Sequence, residues 1–250
     1  MCNMNAIQQL YLRTMNGRPL VDGELYEPLI SRNFGRTTEL KHRNKLLLLM
    51  AGILGLREIE LTLVTVSVFI APDGSFNEYA VLPEAITRDG NERPVVIANV
   101  ELKKAFENYI KWLIESGINT LPNKHYLSLN PNAPLFVDDN FKPFTVQRRG
   151  GSISPHAMNK LLDQLIKNAG LWDSGVRRLS LVRTCVIESY RSGMSTNDVM
   201  ICTGFSDDSI CKILAMDYSA YSPIAEWFVK RKATKQKRLE SFKIRRNWMI

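Results

Sequence analysis

The pattern of apolar and polar positions predicts a mainly helical chain with a small antiparallel sheet near its middle. The run Glu39-Leu40-Lys41-His42-Arg43-Asn44-Lys45, continuing to Leu54, reads as a helix that Thr38 can cap and that ends near Gly55. Its apolar stretch, Leu46 to Leu56, contains two glycines, is bounded by Lys45 and Arg57, and is too short to cross a bilayer, so it predicts a buried helix. A second helical turn begins at Leu56. Val64 to Ile70 is apolar and β-branched, Pro72-Asp73-Gly74 signals a turn, and Phe76 to Leu82 is a second extended run. A third strand is expected at Arg93 to Ile97, after the turn Arg88-Asp89-Gly90-Asn91. Asn99 then caps an amphipathic helix whose Leu102, Phe106, Tyr109, Ile110 and Leu113 share a face, with Gly117 at its end.

The stretch from Asn119 to Gly151 is rich in Asn, Pro and Gly and reads as mostly loop. Ser154-Pro155 predicts a helix start, with Ser as cap and Pro at the first helical position, and this helix should stop at Gly170. Helices dominate from Leu179 to Lys237, punctuated by Gly193 and Gly204. Residues 1–37 carry a short helical pattern and then a Gly- and Pro-punctuated stretch that reads as an extended lead-in, too short for a domain of its own. The expected division is therefore an N-terminal extension over 1–37, one domain over 38–228 and a C-terminal tail over 229–250.

Charge changes this picture most in the tail. The net charge is +8, and residues 230–246 hold nine basic side chains (Lys230, Arg231, Lys232, Lys235, Lys237, Arg238, Lys243, Arg245 and Arg246) against the single acid Glu240. The rest of the chain balances, with 24 basic and 24 acidic residues, so the tail holds the whole excess. Such a segment suits a polyanion, and a solvated helix that aids solubility is the plain alternative. Cys2, Cys185, Cys202 and Cys211 form no C-x-x-C pair, and His42, His125 and His156 lie far apart. Neither a metal site nor a disulfide framework is expected, and no cofactor is called for. The N-terminus lacks the charged-then-apolar layout of a signal peptide, which predicts a cytoplasmic protein with no membrane partner.

Five strings, in order, carry a family resemblance. Gly55-Leu56-Arg57-Glu58-Ile59-Glu60-Leu61 resembles a first-arginine box; Thr87-Arg88-Asp89-Gly90-Asn91-Glu92-Arg93-Pro94-Val95-Val96-Ile97 resembles a β-hairpin of pattern T-K-x-G-x-x-R-x-V-P-L. Ile153-Ser154-Pro155, continuing to Asn168-Ala169-Gly170-Leu171, is similar to the helix before a second box. Arg183-Thr184 through Gly193, and then Gly204, keep the spacing of an R-T-F-A-x-x-L-L-x-x-G stretch and the L-G-H after it. Together these resemble the catalytic domain of tyrosine recombinases, the phage integrases and their relatives. The family's amino-terminal core-binding domain has no counterpart expected within residues 1–37.

The resemblance implies an enzyme in which a tyrosine attacks a DNA phosphate, two arginines stabilise the transition state and a hairpin lysine protonates the leaving oxygen. Arg57 matches the first arginine, with Glu60 after it. Arg88 takes the lysine's place, and its very high pKa makes it a poor proton donor. Aligning Leu181 and Arg183-Thr184 with the second box puts Leu179 at the histidine and Val182 at the second arginine; a shift of one residue makes Arg183 that arginine and puts Ser180 at the histidine. Phe205 stands where histidine or tryptophan is expected, and Leu214 where the nucleophile is expected. Tyr218, about one helical turn beyond, is the remaining candidate nucleophile, and both it and Tyr221 have packing between helices as their plain reading.

These departures predict a protein that is not an enzyme and binds double-stranded DNA, with Arg57, Arg183 and Tyr218 as the candidate catalytic set should cleavage persist. The predicted phosphate contacts are Arg57, Arg88, Arg148, Arg149, Lys160, Arg177, Arg178 and Arg183, with Arg148-Arg149-Gly150-Gly151 as a mobile basic loop. Each of them singly also fits a surface role or an ion pair. Thr196 to Leu214 reads as a helix-turn-helix as well, whose second helix, from Asp207, presents Asp208, Ser209 and Lys212. The tail, with Lys230, Arg231, Lys232, Lys235, Lys237 and Arg238, has two readings: further DNA contact, or docking onto a neighbouring protomer or partner protein through Leu239, Phe242 and Trp248. A bacterial regulator or accessory factor of a plasmid or phage, nucleoid-associated, is the role this implies. An active recombinase and a protein-interaction module are the other two.

Overall fold

The computed structural model describes residues 16–21, 23–33, 38–149 and 152–217, together with 231, 234, 236 and 237. Its centre is helix α1 (Thr38–Ile53), in which Leu46, Leu47, Leu48, Leu49 and Met50 are all fully buried. Four consecutive leucines cannot share one helical face, so α1 is wrapped on every side rather than laid on a surface. A helical segment at Leu25–Ile30, helix α4 (Val100–Glu115) and helix α6 (Arg178–Arg191) provide that wrapping.

Between α1 and α4 run α2 (Glu58–Leu63), the single turn α3 (Val66–Phe69) and a hairpin of β1 (Tyr79–Leu82) and β2 (Arg93–Val96). The hairpin is antiparallel with Tyr79 opposite Val96 and Leu82 opposite Arg93. Ala80, Leu82 and Val95 face the core, while Tyr79, Val81 and Val96 face outward. The first of the three expected strands is absent: Val64 to Ile70 folds instead around α3. Backbone partners from the long loop win there, because Val66 N–H donates to the Ala133 carbonyl at 3.1 Å and Leu135 N–H to the Val64 carbonyl at 2.8 Å. Of the expected second run only its end forms a strand, and Phe76 meets Ile70 through an isolated bridge. The turn between them holds as read, with Gly74 at φ +85°.

Helix α4 follows its sequence signals closely. The Asn99 side chain accepts the Leu102 N–H at 3.0 Å, and Leu102, Phe106, Tyr109, Ile110 and Leu113 are buried on one face. The loop after it is not wholly irregular: β3 (Gln147–Arg149) and β4 (Ser152–Ser154) pair antiparallel, with Arg148 opposite Ile153. The expected mobile basic loop is therefore a hairpin where it carries Arg148. Ser154 ends β4 and does not cap the next helix; Pro155 holds the cap position of α5 (His156–Asn168), its carbonyl accepting the Asn159 N–H at 2.9 Å. The lead-in is not uniformly extended either, since Leu25–Ile30 is helical and Leu20, Leu25 and Leu29 are buried in the main core.

Helix α6 serves two cores. Leu181 joins the main one; Val186 and Ile187 join a second, smaller one with Val199, Ile210 and Ile213, packed by Met194, Met200, Phe205 and Leu214. Two short helices close this second core, α7 (Thr196–Thr203) and α8 (Asp207–Leu214). Ser195 caps α7 reciprocally, its hydroxyl accepting the Asp198 N–H at 3.2 Å and its own N–H donating to the Asp198 carboxylate at 3.1 Å. Gly204, in the left-handed region at φ +63°, ends α7 and turns the chain into α8. This is the helix, turn and helix expected from the sequence. Among the described residues no helix is long and apolar enough to cross a membrane.

One ion pair ties these parts together. Glu60 and Arg93 are each 2% exposed; Arg93 Nη2 donates to the Glu60 carboxylate, and Arg93 Nη1 donates to the Cys202 carbonyl at the end of α7. Glu60→Gln leaves the Arg93 charge buried without a counter-ion and is expected to destabilise the protein by about 3–5 kcal/mol. Urea unfolding checks this, and the apolar double replacement Glu60→Leu with Arg93→Met should recover most of the loss.

Candidate nucleic-acid interface

The region around Arg57 is assembled from four separate segments. Gly55, at φ +66°, turns the chain out of α1, and Arg57 stands at the head of α2 in an extended conformation, φ −85° and ψ 164°. Its backbone N–H donates to Glu60 Oε2 at 2.7 Å, so the acid that pairs with Arg93 also fixes the arginine's main chain. Burial pushes the Glu60 carboxyl above the usual carboxylate range, against the pull of Arg93 and the bond from Arg57.

The Arg57 side chain is 9% exposed and runs to the turn between α7 and α8. Its Nη2 lies 3.4 Å from both the Thr203 and Gly204 carbonyl oxygens, and its Cζ lies 4.4 Å from the centre of the Phe205 ring. Phe205 thus replaces a hydrogen-bonding ring with a stacking face. Arg57 Nε is buried with no hydrogen-bond partner among the described residues. Burial lowers the Arg57 pKa below its ordinary value, Glu60 opposing this, with Arg88 and Arg93 adding to it and Asp89 opposing again. Arg88, Arg93 and Asp89 thus lie near enough to Arg57 for their charges to act on it.

Arg88 and Asp89 are exposed on the tip that follows β1. Thr87 anchors the tip, its hydroxyl lying 3.0 Å from the Glu84 carbonyl oxygen and 2.8 Å from that of Asn91. Asp89 leans onto the α7–α8 turn: a Cβ on Gly204 would stand 3.3 Å from Asp89 Oδ2. The left-handed backbone of Gly204 favours glycine, and a side chain there would also have to displace the Asp89 carboxylate by a few tenths of an ångström.

The other expected contacts divide. Arg183 Nη1 donates to the Gly17 carbonyl of the lead-in, and burial lowers its pKa. Arg177 stacks 3.9 Å over Trp172 and donates to the carbonyls of Trp172 at 2.6 Å and Val176 at 2.7 Å. Arg178 pairs with Glu58 at 3.2 Å and Asp163 at 2.9 Å. These three arginines hold the fold together. Arg148, Lys160 and Lys212 are exposed, as are Arg231 and Lys237 in the tail. The side chain of Arg149, and residues Lys230, Lys232, Lys235, Arg238, Tyr218 and Tyr221, lie outside the described residues.

The positions expected to be empty of chemistry carry apolar side chains in differing surroundings. Val182 is 3% exposed, Leu179 is a surface leucine, and Leu214, like Phe205, is partly buried against the second core. Among the described residues no group of three His, Cys, Asp or Glu side chains is placed to hold a metal. Cys185 is buried against the end of α1, its thiol donating to the Ile53 carbonyl at 3.0 Å, and burial pushes its pKa up to about 11, so it is not a nucleophile at neutral pH. What the arrangement can do is hold an anion at Arg57 and Arg88.

Sequence reasoning had Glu60 and Arg93 within its matched strings but gave neither a role. It also gave Asp89 none. The offset from Arg57 to Glu60 was the available signal, since an acid three residues after a helix cap reaches back to the cap's N–H.

Solved structures with this fold are recombinases and integrases. XerA recombinase superposes with a TM-score of 0.58 at 18% identity, over 84% of this chain and 66% of that one. XerH site-specific recombinase, bound to its palindromic difH substrate in a post-cleavage complex, gives 0.57 at 16% identity, over 83% and 52%. The Tn1549 transposon integrase in complex with circular intermediate DNA gives 0.50 at 15% identity, over 84% and 66%. The described residues therefore form a tyrosine-recombinase-like domain, mainly helical with small antiparallel hairpins. The chain spans between about half and two thirds of the length of these structures. No family model matches the sequence, and no curated protein matches it.

Replacing Phe205 by Leu keeps apolar bulk in the second core and removes the ring face above Arg57. The expected cost is about 1 kcal/mol, from the cation–π contact, measured as a shift in urea midpoint with an unchanged slope.

Proposed function

We propose that the protein binds double-stranded DNA without cutting it, as a transcriptional regulator or accessory factor of a mobile element such as a plasmid or phage, associated with the bacterial nucleoid. The observation that carries the reading is the joint packing of Phe205 and Leu214. Both are half-buried against the second apolar core, so the two positions where the family resemblance expects a donor ring and a nucleophile are used to cover apolar surface. Arg57 is meanwhile kept, with its charge and an unused Nε.

Catalysis by this resemblance needs several charged donors at one phosphate, and losing one of them typically costs about 10²–10³ in rate. Val182 and Leu179 supply none, and Arg183 is engaged with Gly17. Binding needs far less. Positive side chains that neutralise backbone phosphates suffice, and Arg88, Arg148, Lys160 and Lys212 are exposed to do so. The DNA-bound states of the XerH and Tn1549 proteins support the same reading by analogy of fold.

A duplex nicked beside a candidate scissile phosphate separates binding from cutting. The expected outcome is a gel shift with no covalent protein–DNA species; a covalent band that Tyr218→Phe removes would establish an active recombinase instead. A second measurement concerns the tail, which carries the whole net charge. Deleting residues 230–250 should weaken binding and flatten the dependence of log K on log salt, and unchanged affinity and slope would assign the tail to a protomer or partner protein.

A further inference from the structure

We propose that Asp89 is an internal rival to DNA at Arg57: its fixed carboxylate stands beside the arginine and sets how weakly that site takes a backbone phosphate. The proposal rests on the DNA-binding reading and concerns the same site.

The geometry runs through one residue. Gly204 offers its carbonyl to Arg57 Nη2 at 3.4 Å, and its Cα carries no side chain where Asp89 Oδ2 approaches to 3.3 Å of the missing Cβ position. The next residue, Phe205, covers Arg57 from its own side. The carboxylate and the guanidinium are therefore held at the same turn, close enough for each to feel the other's charge. Arg57 Nε makes no hydrogen bond among the described residues, so Asp89 does not consume that donor.

Asp89 is also held in place. Thr87 and Asn91 close the tip, and Asn91 Nδ2 donates to the Asp89 carboxylate at 3.3 Å. The acid stays ionised at neutral pH, since these hydrogen bonds and Arg57 outweigh its slight burial and depress its pKa. A phosphate arriving at Arg57 and Arg88 must then settle next to a fixed like charge. An acid beside Arg57 cancels one positive charge at that corner, which lowers its share of counterion release. The exposed position of Asp89 means that its replacement disturbs no packing.

The test is a gel-shift series on the full chain with a random-sequence duplex over rising salt. Asp89→Asn should tighten binding by about three- to tenfold at low salt, from removal of one like charge a few ångströms from a phosphate, and steepen the salt slope by about one. Asp89→Glu, which keeps the charge, should not tighten it. The gain should vanish in the double variant Arg57→Gln with Asp89→Asn. If wild type binds but Asp89→Asn is no tighter, or if the gain survives loss of Arg57, the assignment of Asp89 is wrong while the DNA-binding reading stands. If no form binds duplex even at low salt, the DNA-binding reading fails and takes this one with it.

Discussion

The buried pair between Glu60 and Arg93 is the constraint on which the rest of the structure depends. Two charges at 2% exposure are held by each other and by directed bonds: Arg93 reaches the Glu60 carboxylate and the Cys202 carbonyl, Glu60 also accepts the Arg57 N–H at 2.7 Å, and Arg93 Nε is left with no partner among the described residues. Four elements meet there. The head of α2, strand β2, the end of α7 and, through the Leu54 carbonyl at 3.5 Å from Arg93, the end of α1 all converge on it. None of these is adjacent to all the others in sequence, and an apolar contact in their place would fix no orientation. A charged pair does, because its hydrogen bonds have direction.

That orientation decides what becomes of Arg57. Its main chain is fixed by Glu60 and its side chain is delivered to the α7–α8 turn, under Phe205. A guanidinium in such a place keeps its charge, since arginine's pKa is far above neutrality even when burial lowers it. It loses reach, however. With the ring over one face and two carbonyls at 3.4 Å from Nη2, only part of the fork remains to meet an anion from outside. Such a guanidinium can still attract an anion, but it cannot present its whole donor fork to one.

How much of this the sequence disclosed follows from the range over which each feature is decided. The cap at Asn99 and the left-handed Gly204 are settled within a few residues, and both were legible as a helix start and a helix stop, whereas the Ser195 cap, equally local, was not read. Val64 to Ile70 was misread because its fate is decided by backbone partners at Ala133 and Leu135, far along the chain. The same distance governs Arg177, Arg178 and Arg183, for each of which the sequence left a phosphate contact and an ion pair equally open. As letters they are three cations near a family box, yet their partners are Trp172, Glu58 with Asp163, and Gly17. Arg88 stands exposed on the hairpin tip, a local feature that the turn residues Asp89-Gly90-Asn91 signal.

Phe205 shows the limit most clearly. Read alone, a phenylalanine where a donor ring is expected signifies only a loss. In the structure it contributes twice, setting its ring against Arg57 and packing, partly buried, against the second core. A histidine or tryptophan there would have to find a hydrogen-bond partner or solvent for its ring nitrogen, and the second core offers an apolar surface instead. The second core holds α7 and α8 together around five fully committed aliphatic side chains, so it has little burial to spare. Stability of the α7–α8 unit and a donor at position 205 therefore compete for one side chain, and in this chain packing has taken it.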